Sequence, residues 1–227
     1  MRDSAFRKLL IDFETECQSR MQEFRCSVHL CLGQHEVPVQ MQKHLEPEDW
    51  VFSTHRSHGH YLAKGGSPEK LMDEILGLPT GVNGGYSGSQ SFCDVRLRFH
   101  STAIVGGLVA AATGVALANK LRDDPARVVC CIGDGATEQG VFWESLNFAA
   151  LHQLCIAYVC ENNFLSVHSP LGLRQAQPLR RKVESFGIRY FAGAAQFSDA
   201  LSFGPSFLEV FCERQCNHVS AMEDLRE

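Results

Sequence analysis

The sequence predicts an α/β chain built on a mostly parallel sheet flanked by helices, and three observations carry that expectation. Residues 127–132 (RVVCCI) and 155–160 (CIAYVC) are short, β-rich apolar runs of the kind buried on both faces of a parallel sheet. Between them, residues 141–154 place Phe142, Leu146, Ala149 and Ala150 at helical spacing. Strand, helix, strand in that order makes a βαβ unit, whose crossover is right-handed.

The other elements follow along the chain. Phe6, Leu9, Leu10, Phe13, Cys17 and Met21 recur at gaps of three and four, which predicts an amphipathic helix over 6–24. That helix gives a single domain, 1–227, an N-terminal helical extension at about 1–26. Residues 29–39 read as a loop and then a short helix near Pro38. Ser67-Pro68-Glu69 opens a clearer helix, with a capping serine, a first-turn proline and an acid at the positive end of the dipole. Leu71, Met72, Ile75 and Leu76 supply its buried face, and Gly77 to Pro79 end it. Residues 81–91 (GVNGGYSGSQS) form a glycine-rich loop that lets backbone approach a ligand closely. Residues 105–119 are apolar all round and rich in small side chains, which predicts a helix packed tightly inside the protein. A last strand is expected at 206–211 (SFLEVF).

Composition narrows the function classes. The 227 residues are 44% hydrophobic and 21% charged, with net charge −5, so there is no basic footprint for nucleic acid. No apolar run reaches the ~20 residues of a membrane span, and the opening MRDSAFRKLL lacks a secretory core, so a cytoplasmic location is expected. Ten cysteines without any CxxC, several inside apolar runs, read as reduced core thiols.

The chemistry is read from two turns. Gly133-Asp134-Gly135 follows one predicted strand and Asn162-Asn163 follows the next. Ligands of open parallel sheets sit beyond the carboxyl ends of the strands, and neighbouring strands lie about 4.8 Å apart. Asp134 and Asn163 on adjacent strands then reach one ion. A carboxylate, an amide oxygen and a nearby carbonyl are hard ligands, and Mg²⁺ completes its octahedron with phosphate oxygens and water. Gly135 and Ala136 lie where the chain turns toward the helix, so their N–H groups face a phosphate. The implied ligand is a diphosphate held through Mg²⁺. A lone Gly-Asp-Gly is usually only a tight turn; the pairing on a βαβ unit favours the site.

With those motifs in place, the chain resembles the alpha subunit of the thiamine-diphosphate-dependent first component of 2-oxo acid dehydrogenases, of the pyruvate, acetoin and branched-chain types. The similarity runs through SVHLCLGQHEVPV, STHRSHGHYLAKG, the glycine loop, STAIVGGLVAAATGVALA, GDGATEQGVFWESLNFAAL and ENN, and resumes at GPSFLEVF and NHVSAMED. It implies a thiamine-diphosphate-binding fold with Mg²⁺ on Asp134, Asn163 and the backbone carbonyl of Leu165. It further implies diphosphate contacts at Gly135, Ala136 and Arg56, His55 beside the cofactor, and Ala103 and Val105 around the aminopyrimidine. His29 matches a histidine near the substrate carboxylate, and His218 a loop histidine that stabilises intermediates and admits lipoamide. The cofactor performs the decarboxylation while the protein binds and orients it. The activating glutamate comes from a separate beta subunit in an α2β2-type assembly, with a small 2-oxo acid as substrate and a lipoyl-bearing acyltransferase as acceptor. A zinc site at His55, His58 and His60 is the competing reading of HRSHGH, but no matching Cys or His pairs accompany it.

Three departures from the family's pattern stand out. Gln90 and Ser91 replace a Met-His pair in the glycine loop. Residues 194–204 are short for a helical crossover, so that corner is expected to be rebuilt or the last strand displaced. The chain ends at Glu227, soon after His218, with Ser220-Ala221 in place of a Gly-Pro pair. Two alternatives therefore stay open: a subunit of a transketolase-like or acyloin-forming carboligase, and a non-catalytic cofactor-binding remnant.

Overall fold

A computed structural model describes residues 2–218. Its helices are α1 (Arg2–Ser19), α2 (Glu36–His44), α3 (His58–Ala63), α4 (Pro68–Leu76), α5 (Val109–Leu121), α6 (Gly140–Leu151), α7 (Leu179–Glu184) and α8 (Phe197–Ser202). Its strands are β1 (Trp50–Ser53), β2 (Cys93–Asp94), β3 (Phe99–Ser101), β4 (Val128–Gly133), β5 (Ile156–Asn162), β6 (Leu165–Ser166), β7 (Ser169–Pro170), β8 (Arg189–Ala192) and β9 (Ser206–Phe211). A seven-stranded sheet runs β2-β3-β1-β4-β5-β9-β8. Every pair in it is parallel except β2 with β3, and β6 and β7 form a separate antiparallel ribbon.

Alternate residues of the central strands sort to opposite faces, as the two-residue period of a strand requires. Val129, Cys131, Val159 and Leu208 pack with Leu10, Phe13, Val37, Tyr61, Leu71 and Phe197, under α1 to α4 and α8. Val128, Cys130, Tyr158 and Phe207 pack with Ala112, Ala116, Phe142, Leu146 and Val183, under α5 to α7. All ten cysteines are free thiols. Among the described residues no helix is long and apolar enough to cross a membrane.

Several boundaries differ from the sequence expectation, each for a physical reason. The first helix begins at Arg2 and stops at Ser19, followed by a short 3₁₀ turn at Met21–Glu23. Leu10, Phe13 and Cys17 belong to the same buried cluster as the sheet residues Val129 and Val159. Pro38 lies in the first turn of α2, where its missing N–H costs nothing. α4 matches closely: the Ser67 hydroxyl accepts from the Lys70 N–H at 3.2 Å, and Gly77 closes it at φ 75°. α5 starts at Val109, after a turn through Gly106 at φ 72°. It is not enclosed on all sides: Ala110, Ala111 and Gly114 are exposed while Val109, Ala112 and Ala116 are buried. The corner before the last strand is rebuilt with the six-residue α8, and β9 is not displaced, pairing in parallel between β5 and β8.

Candidate active-site cleft

The carboxyl ends of β1, β3, β4 and β5 open into one cleft enclosing about 1020 Å³ of space, part of it open to solvent. His29, His55, Arg56, Ala103, Val105, Asp134, Gly135, Ala136, Asn163, Leu165 and His218 all line it. Val219 to Glu227, including Ser220-Ala221, lie outside the described residues.

Two strand ends build the floor. β4 and β5 pair in register to Gly133 and Glu161, so Asp134 and the Asn162-Asn163 pair leave adjacent parallel strands. The two asparagines then diverge. Asn162 is buried; it donates to Glu209 at 2.6 Å and accepts from the Phe164 N–H at 2.9 Å, a structural pairing. Asn163 reaches the cleft, donating to Gln34 at 3.1 Å and accepting from the Leu165 N–H at 3.0 Å. Its amide oxygen keeps a second lone pair. Asp134 is only 1% exposed. Burial pushes its carboxyl upward, while the Arg174 guanidinium, 2.5 Å away, pulls the other way. Arg174 also bonds Glu138. A Cβ on Gly135 would stand 2.8 Å from the Ser166 hydroxyl, so a side chain there would make Ser166 shift. A buried carboxylate and a carboxamide oxygen lining one cleft are donors of the kind a hard divalent metal takes.

Histidines also line the cleft. The His29 ring centroid is 4.7 Å from that of His55 and 5.0 Å from that of His218. Burial lowers His29 to about 3, helped by His55, Arg56 and His218, and burial with Arg56 and His218 lowers His55 to about 4. Both rings are therefore neutral near pH 7. Arg56 is buried, and its guanidinium donates to the carbonyls of Leu30 and His218. Arg214 donates to the Val167 carbonyl at 3.0 Å and also lines the cleft.

The histidines of HRSHGH do not converge on a metal. His58 pairs with Glu14 and Ser89, both at 2.8 Å. His60 meets Ser53 at 2.8 Å and Glu161 at 3.2 Å, while His55 alone faces the cleft. Among the described residues, the metal-capable group is Glu14, Cys31 and His58, which are buried, with Cys31 and His58 both bonded to Glu14.

Sequence reasoning missed several residues that shape this cleft. Glu74, wholly buried, accepts N–H bonds from Asn83 at 2.6 Å, Gly85 at 3.0 Å, Ser87 at 2.7 Å and Gly88 at 3.3 Å, and so folds the glycine loop. An acid inside the apolar face LMDEIL was the available signal. Ser91 ties that loop to the cleft by accepting the Ala103 N–H at 2.9 Å. Arg174, Arg214 and Gln34 carried no local signal, because their partners lie far away in the chain.

The chain has relatives among known proteins. It is 42% identical over 137 residues to the alpha subunit of acetoin:2,6-dichlorophenolindophenol oxidoreductase from Bacillus subtilis (strain 168), covering 60% of this chain and 41% of that one. It is 37% identical over 162 residues to a pyruvate dehydrogenase E1 component subunit alpha from Rhizobium meliloti (strain 1021), covering 70% and 47%. The corresponding subunit of Rickettsia bellii (strain RML369-C) is 34% identical over 187 residues, covering 81% and 57%. The chain thus spans about half the length of the curated relatives it matches. A solved transketolase from Campylobacter jejuni shares the fold, with a TM-score of 0.70 at 16% identity over 93% of this chain and 38% of that one. Residues 6–170 match the family of the dehydrogenase E1 component, and the chain belongs to that family.

Proposed function

We propose that this chain is the alpha subunit of a thiamine-diphosphate- and Mg²⁺-dependent 2-oxo acid dehydrogenase. It acts in the cytoplasm with a separate beta subunit in an α2β2-type assembly and passes the acyl group to lipoamide on an acyltransferase. The observation that carries this reading is the meeting of Asp134 and Asn163 in one cleft, from adjacent parallel strand ends. Membership of the E1 component family supports it independently. Asp134, Asn163 and the Leu165 carbonyl would hold Mg²⁺, and the N–H groups of Gly135 and Ala136 with Arg56 would hold the diphosphate. Ala103 and Val105 would border the aminopyrimidine, beside His55.

Thiamine diphosphate supplies the electron sink for loss of CO₂ from a 2-oxo acid. The chain's own part is to bind and orient. His29, neutral and buried, would hold the substrate carboxylate, and His218 would face the acyl acceptor. The test is reconstitution with a beta subunit of the family. The reading expects CO₂ release from a 2-oxo acid with dichlorophenolindophenol reduction, and Asp134→Ala abolishes both. A second reading is carboligation onto an aldehyde or sugar, kept open because Gln90 and Ser91 stand in the glycine loop where the family has a Met-His pair. It expects a C–C bonded product and no dye reduction; a remnant gives neither.

A further inference from the structure

Gln90 makes two contacts through one nitrogen, and together they fix a proton. Its Nε2 lies 2.9 Å from the carbonyl oxygen of Ser27 and 2.8 Å from Nδ1 of His29. A backbone carbonyl only accepts, so the amide must turn its NH₂ toward Ser27; the flipped amide would set two acceptors face to face. An amide nitrogen only donates, so Nδ1 of His29 must be the acceptor in the second contact. The ring proton then sits on Nε2. A second proton, on Nδ1, would break the Gln90 bond and place a cation against Arg56, His55 and His218 in a buried site.

We infer that Gln90 is a positioning residue that locks His29 as the neutral Nε2–H tautomer, so that His29 offers the cleft a hydrogen-bond donor and not a base. The substrate half of this inference rests on the function proposed above. A 2-oxo acid presents only acceptor oxygens, on its carboxylate and its carbonyl. An Nε2–H matches them, whereas an Nε2 lone pair would repel them. In the same cleft the glycine loop thereby sets the hydrogen-bond polarity of a residue on a different segment.

The experiment is a two-bond ¹H–¹⁵N correlation on the full 227-residue chain, labelled with ¹⁵N-histidine, at pH 7. His29 is assigned by the signals lost in His29→Asn. The inference expects Nδ1 unprotonated and Nε2 protonated in the wild type. Gln90→Met, of similar length and with no donor, produces a mixture of tautomers, and Gln90→Glu draws the proton onto Nδ1. Unchanged signals from buried His58 and His60 verify the fold of each variant. A protonated Nδ1 in the wild type, or a single Nε2–H form surviving in Gln90→Met, overturns the inference; the wild-type spectrum decides even where a variant fails to fold. In the assembled enzyme, Gln90→Met raises KM for the 2-oxo acid on the order of tenfold, the scale of one lost hydrogen bond, with kcat moving less. An unchanged KM overturns the substrate half. The expected tautomer in a chain that turns over no 2-oxo acid refutes the proposed function and leaves the tautomer assignment standing.

Discussion

The two loops beside the cleft are anchored by charges of opposite sign, one remote from the chemistry and one on top of it. The glycine loop folds around an anion: Glu74 collects backbone N–H groups from Asn83 to Gly88 in the protein interior, and does not line the cleft. Its glycines permit that wrap, since a Cβ on Gly81 would stand 2.6 Å from the Glu74 Cα and one on Gly85 2.3 Å from the Gly77 carbonyl carbon. The loop after β5 is held by a cation. Arg174 bonds Asp134 and Glu138, and Gln175 donates to Thr137 at 2.7 Å. The first anchor is indifferent to what binds. The second shares its carboxylate with the metal of the proposed function, so in that reading Arg174 would compete with the metal for Asp134.

The largest expected effect falls on the indifferent anchor. Glu74→Gln turns an amide NH₂ onto backbone donors and strands them in the core, which costs roughly 2–4 kcal/mol. Urea unfolding measures it, and a loss below about 1 kcal/mol would show that the loop does not depend on that carboxylate. The second anchor predicts a gain. Arg174→Gln removes the competing cation and tightens Mg²⁺-dependent uptake of thiamine diphosphate on the order of tenfold, as a charge-assisted bond of about 1.5 kcal/mol implies. Equal or weaker uptake by calorimetry would show that Arg174 supports the bound state and does not compete with it.

A smaller effect comes from the cleft histidines. His29 and His55 are depressed to about 3 and about 4 in the folded chain, below the ordinary value of about 6.5. Between about pH 6.5 and 4 the unfolded chain therefore binds more protons, so stability is full above pH 6.5 and falls as the pH is lowered. Each ring contributes a slope of up to about 1.4 kcal/mol per pH unit. Unfolding at pH 7, 6 and 5 measures the slope, and His29→Gln or His55→Gln each removes one proton's share. A slope unchanged by either substitution contradicts the burial of these rings as neutral groups.

What was legible in the sequence follows the same division between local and distant causes. β4 and β5 were readable because strands buried on both faces leave apolar runs, β9 by its β-rich SFLEVF, and Ser67 and Gly77 marked α4 by local capping chemistry. β1, β3 and β8 are only three or four residues long, too short for a period to register. α5 misled because alanine and glycine are apolar without demanding burial: Ala110, Ala111 and Gly114 face outward. Asp134 and Asn163 were readable because each follows its strand directly. Arg174 was not, since it reaches back 40 residues to Asp134 and only the folded loop brings them together. Gln90 registered merely as a departure from a pattern; its hold on His29 spans 61 residues.

The most direct test is calorimetric titration of thiamine diphosphate into the chain assembled with a beta subunit, with Mg²⁺ and with a chelator. The account predicts uptake only when the metal is present, and its loss in Asp134→Ala. Uptake that ignores both the metal and that substitution, or no uptake at all, would contradict the assignment of the β4 and β5 ends as the cofactor's anchor.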